Sequence, residues 1–130
     1  MNKTIIWLVL LITVFFLALP PYRASYSAPP EPVKPPIREY AEQMVNETFG
    51  GGWAEFDAIV KKESGWKSTA QNPHSSAHGL CQLLKGTYKW LGSEKTLDPY
   101  KQVDLCIKYI KIRYKTPEKA LIFWNNHKWF

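Results

Sequence analysis

From Ile37 onward the apolar residues recur every three or four positions, the spacing of helices that bury one face. Ile37, Tyr40, Ala41, Met44, Val45 and Thr48 trace the first such face, and Gly50, Gly51 and Gly52 stop it. A second helix is predicted from about Trp53 to Ser64. At about 100° per residue, Trp53, Phe56 and Val60 share one side, and Glu63 falls beside that stripe. Its carboxyl is therefore expected to be partly buried, while Lys61 and Lys62 point to water.

Gly65 fits the left-handed residue that closes a helix. The polar loop from Lys67 to Ser76 carries the turn signal Asn72-Pro73, and a short helix is expected to start near Ala77. Without a Cβ, Gly79 lets the backbone pass close to whatever occupies a neighbouring groove. Leu80 and Leu83 are expected to face the core, and Gln82 to present its amide. Asp98-Pro99 and Thr116-Pro117 each pair an N-cap with a proline at the first helical position. The helix between them, Pro99 to Tyr114, sets Val103, Cys106, Ile107, Ile110 and Tyr114 on one face and Lys101, Lys108, Lys111 and Lys115 on the other. A last helix carries Ala120, Leu121, Phe123 and Trp124, and the terminal aromatics Trp129 and Phe130 are expected to pack back onto the domain. The fold class is mainly α, with about five helices and little or no β.

Two segments precede this domain of residues 37–130. Residues 1–19 combine a basic start at Lys3 with an uncharged apolar run from Ile5 to Leu19. That run suits a signal peptide better than a membrane span of about 20 residues. Small residues at Ser25 and Ser27 mark a cleavage point, and an uncleaved signal anchor is the other reading. Residues 20–36 hold seven of the ten prolines, so they cannot build a helix or ladder and are expected to form an extended linker. The domain is thus expected to be exported, either secreted or tethered to the outer face of the cytoplasmic membrane.

The net charge of +6 and pI near 9.3 invite a nucleic-acid reading, but the lysines spread over solvated helix faces and no nucleic-acid motif accompanies them. An anionic wall polymer is the partner this charge suits, and membrane contact is expected only through the N-terminal segment. Cys81 and Cys106, the only cysteines, both fall where helix faces should point inward, which leaves a disulfide and two buried thiols equally open. His74, His78 and Cys81 have metal-like spacing. They sit in a loop without the glutamate of a zinc protease, so neither a metal nor another cofactor is expected.

An apolar setting disfavours the ionised carboxylate and raises its pKa, which is what protonation of a glycosidic oxygen requires of Glu63. Order and spacing then add a resemblance. Glu63-Ser64, Trp66, Ala70, Asn72-Pro73, Ser76 to Gln82 and Thr87, followed by Ala120 to Asn125, resemble the soluble-type lytic transglycosylases. Their catalytic domain is related to goose-type lysozyme, and the nearest likeness is to short, exported, wall-associated forms. The resemblance covers about residues 53–130.

It implies a lysozyme-like fold and peptidoglycan glycan strands as substrate. Glu63 is implied as the sole catalytic acid/base, forming 1,6-anhydro ends, with the substrate's own acetamido group shielding the developing cation. No other Asp or Glu occurs between Glu63 and Glu94. Ser64 is implied to orient the acetamido group or Glu63. Ser76, Gly79, Leu80, Gln82, Trp124 and Asn125 are implied to line the groove, in a monomer. Two positions depart from the pattern: Trp124 stands where the family usually has Tyr, and His127 where Gly is common. A noncatalytic wall-binding or assembly module and a hydrolytic muramidase remain the alternatives.

Overall fold

Five helices organise the described part of the chain, residues 31–130 of a computed structural model. The segment expected to direct export, residues 1–19, and the larger part of the expected linker lie outside the described residues. Helix α1 spans Ile37–Phe49, α2 Trp53–Ser64, α3 Lys85–Trp90, α4 Pro99–Arg113 and α5 Pro117–His127. No helix among the described residues is long and apolar enough to cross a membrane.

Helix α2 packs on α5, and α1 on α4, so the two pairs enclose one core. Phe56, Ile59 and Val60 of α2, Ala41 and Val45 of α1, and Val103, Cys106 and Ile110 of α4 are completely or almost completely buried there. These are the faces that the apolar spacing predicted. The opposite face of α4 exposes Lys101, Lys108 and Lys111, and Lys115 is exposed just past its end. The predicted caps are also present: Asp98 accepts from the Tyr100 amide and Thr116 from the Lys119 amide. Each satisfies a backbone donor that the first helical turn leaves free.

Between α2 and α3 the chain departs from expectation. No helix starts near Ala77, because Gly79 and Gln82 both take positive φ, at 80° and 47°. A right-handed helix cannot pass through either residue. The segment instead forms isolated antiparallel bridges, Gln71 to His78 and His78 to Leu83, and the helix begins only at Lys85. Cys81 therefore lies in a buried turn rather than on a helix face. In the structure it is joined by a disulfide to Cys106 of α4, with the Cα atoms 6.1 Å apart.

A buried glutamine fastens this turn region. Gln102, at the start of α4, accepts from the Leu80 amide at 2.9 Å and donates to the carbonyls of Ser68 at 2.9 Å and Thr96 at 2.7 Å. Three segments thus depend on one side-chain amide. A Cβ on residue 79 would lie 2.6 Å from the Gln102 Oε1, so the close approach that Gly79 permits is to this amide.

Candidate active site

Helix α2 ends at Ser64, closed by Gly65 at φ 61°, and this end brings Glu63 to the margin of the core. Its carboxyl is partly buried. The Trp124 indole, carried in by α5, donates from Nε1 to Glu63 Oε1 at 2.6 Å. Burial pushes the Glu63 pKa up, and the indole N–H opposes part of that rise by favouring the anion.

Asp57 on the same helix shows the contrast. Burial also pushes it up, but hydrogen bonds from Lys61 and Trp66 and the charge of Arg38 carry it below its ordinary value. Arg38 and Lys61 lie 2.8 and 2.7 Å from its oxygens. Glu63 has no ion pair of this kind among the described residues. Two carboxyls of one helix are therefore shifted in opposite directions, Asp57 toward its anion and Glu63 toward its protonated form.

Glu63 opens into a cavity of about 360 Å³, walled by Gln82, Asn72, Ser75, Leu84 and the terminal residues 128–130. Its carboxyl is the only side-chain carboxyl in that lining. Gln82 reaches this wall through its left-handed backbone, and its Nε2 donates to the carbonyls of Gly79 and Ala70 at 2.9 and 3.2 Å.

The other implied groove residues divide. The Ser64 hydroxyl donates to the Leu80 carbonyl at 2.7 Å, with Val60 O at 3.3 Å, so it ties α2 to the loop and makes no hydrogen bond to Glu63. The Leu80 side chain is buried in the core, leaving its backbone to meet Ser64 and Gln102. Gly79 is buried against Gln102. Ser76 accepts from the Lys85 amide and lies on a separate cavity of about 880 Å³, edged by Lys85, Lys89 and Lys95. Asn125 is exposed and is not hydrogen-bonded to Glu63 among the described residues. Trp124 thus reaches Glu63 as a hydrogen-bond donor only.

Gln102 escaped the sequence reading, and Trp129 entered it only as a terminal aromatic expected to pack back onto the domain. Gln102 carried a signal, since it precedes Cys106 by one helical turn and so falls on the buried face of α4. Trp129 carried only its aromatic character. Of the metal-like trio, Cys81 is disulfide-bonded and His78 is buried with neither ring nitrogen partnered, so the three do not form a ligand set.

The profile of the transglycosylase SLT domain matches residues 41–126. The chain belongs to the SLT transglycosylase family. The match runs from α1 through most of α5 and includes Glu63, Gln82, Trp124 and the loop between α2 and α3. Membership makes this a lysozyme-like domain of a peptidoglycan-degrading transglycosylase family, with peptidoglycan as the substrate class. No curated protein and no solved structure gives a significant match.

Proposed function

We propose that this SLT domain cleaves the β-1,4 bond between N-acetylmuramic acid and N-acetylglucosamine, with Glu63 as its single acid/base. Protonated Glu63 gives its proton to the glycosidic oxygen as the bond to the muramic anomeric carbon breaks. The resulting carboxylate then accepts the proton of the muramic 6-hydroxyl, whose oxygen attacks that carbon and closes the 1,6-anhydro ring. Glu63 ends protonated and no water is consumed.

The observation that carries this reading is the isolation of Glu63: burial favours its protonated form, and no second side-chain carboxyl lines the cavity. Glycosidases that work through paired carboxylates place them about 5–9.5 Å apart. A lone acid suits a reaction in which the substrate supplies its own nucleophile. Trp124 supports the cycle because its N–H can hold the same oxygen in either protonation state.

The apolar segment of residues 1–19 supports export to the wall side of the cytoplasmic membrane, with residues 20–36 as the spacer. The exposed lysines of α4 support attraction to anionic wall polymers, which added salt weakens. Mass spectrometry of fragments released from purified peptidoglycan, beside a Glu63→Gln control, tests the reaction. Anhydro-ended fragments absent from the control are the expected result. Fragments one water heavier would assign hydrolysis, and release of nothing by the folded protein would leave a binding module.

A further inference from the structure

The family match stops at residue 126, yet the wall of the Glu63 cavity does not. Residues 128–130 complete it. Helix α5 closes at Lys128, a non-glycine residue at φ 65° whose amide donates to the Trp124 carbonyl. That turn carries Trp129 to the cavity. Phe130 then packs edge-on against Tyr109 at 5.5 Å and tilted against Tyr114 at 6.1 Å, so Trp129 is fixed on both sides in sequence.

The Trp129 ring has supports of its own. Its indole stands nearly perpendicular to Phe123 at 5.0 Å, and the Arg113 guanidinium lies 5.6 Å from it. It nevertheless remains 52% exposed. A large apolar ring held by its neighbours but left half in water is a surface suited to a ligand. Its cavity also carries the polar side chains of Asn72, Ser75 and Gln82. An apolar ring beside amides and a hydroxyl matches a pyranose, which presents a flat C–H face and a rim of hydroxyl and acetamido groups.

We propose that Trp129 is the platform on which an N-acetylhexosamine ring of the glycan strand stacks while its glycosidic bond lies at Glu63. The assignment rests on the glycan-cleaving reading of the site and adds a binding residue that the family match does not contain. Trp129 acts on affinity, whereas Glu63 acts on bond cleavage.

The test uses the Glu63→Gln protein, so that turnover does not consume the probe, titrated with the neutral β-1,4-linked tetramer of N-acetylglucosamine. Nitrogen-15 NMR follows the indole N–H signals, and the Trp129 signal is identified by its loss in Trp129→Phe. The expected result is a saturable shift of that signal, with affinity lowered about tenfold in Trp129→Ala, the scale of an aromatic anchor, and largely kept in Trp129→Phe. Should the alanine variant misfold, the shift in the parent and the affinity of the phenylalanine variant still decide the question. Binding that leaves the Trp129 signal unmoved, or an unchanged affinity in folded Trp129→Ala, overturns the platform and spares the glycan reading. Absence of binding both to the tetramer and to soluble peptidoglycan strands overturns the two together.

Discussion

The Trp124 indole and the Glu63 carboxyl, 61 positions apart in sequence, meet in a 2.6 Å hydrogen bond where α5 crosses the end of α2. The bond acts on the acid in two ways. It fixes the orientation of Oε1, and it partly offsets the upward pKa shift caused by burial. Lys62 and Lys128 lie 4.5 and 5.4 Å from the same indole ring, so the donor is itself packed against cations.

Replacing Trp124 by Phe removes the N–H and keeps an aromatic ring. The Glu63 pKa then rises further, because the lost donor favoured the anion. The alkaline limb of the pH-rate profile, where the acid loses its proton, is expected to move to higher pH. An acid that is no longer held in place is expected to slow turnover by roughly 10- to 100-fold. Trp124→Tyr, which supplies a hydroxyl donor in place of the indole N–H, is expected to restore both rate and profile if that hydroxyl reaches Oε1. A pH-rate series on solubilised peptidoglycan reads all three.

Glu63→Gln is expected to abolish most turnover, by at least about 100-fold, while raising stability. The folded-state pKa of Glu63 is raised, so the folded protein binds this proton more tightly than the unfolded chain does. Stability from this group is fully present below the unfolded value and is lost as pH rises through the folded one. The gain from glutamine should therefore appear at neutral pH, at roughly 0.5–2 kcal/mol, and fade in acid. Thermal melts of both proteins at pH 4 and pH 7.5 measure it.

His78 has the opposite sign. Burial and then the Lys95 charge push its pKa below the ordinary 6.5. The unfolded chain therefore binds the proton first, and stability from a neutral buried His78 is lost as pH falls below about 6.5 toward the folded value. His78→Phe is expected to flatten the slope of Tm against pH in that window. An unchanged slope would assign the acid sensitivity to other groups.

The disulfide links positions 25 apart, and chain entropy for a loop of that size gives about 3.5 kcal/mol. Cys81→Ala with Cys106→Ala is expected to lower stability by roughly 2–4 kcal/mol in urea melts. Alkylation of the unfolded, unreduced protein should label no cysteine.

Gln102→Leu strands the Leu80 amide and the Ser68 and Thr96 carbonyls in one change. A loss of about 2–4 kcal/mol is expected, since each buried unpaired group costs about 1–3 kcal/mol and the loop can relax in part. Gly79→Ala at φ 80° drives a methyl into the same amide and is expected to cost about 1–3 kcal/mol. Because this turn carries Gln82 to the cavity, both variants should lose activity at temperatures where they remain folded.

The helices were legible because burial of one face imposes a period that the residues themselves display, as Phe56, Ile59 and Val60 do. The partial burial of Glu63 followed from the same period. The helix expected near Ala77 failed because Gln82 takes positive φ, and nothing in a glutamine's local preference announces that conformation. Three hydrogen bonds made by Gln102 and the disulfide stabilise the surrounding turn, and all but the bond to Thr96 join positions 22 or more apart.

The sequence by itself determined where four of the five helices run, which carboxyl sits beside an apolar stripe, and the family to which the motifs point, since each depends on spacing along the chain. Only the tertiary structure decided that Trp124 holds Glu63, that Ser64, Gly79 and Leu80 build the loop, and that Trp129 reaches the cavity. Those contacts depend on how α2, α4 and α5 pack and on where two turns take left-handed backbone, and no local periodicity encodes either.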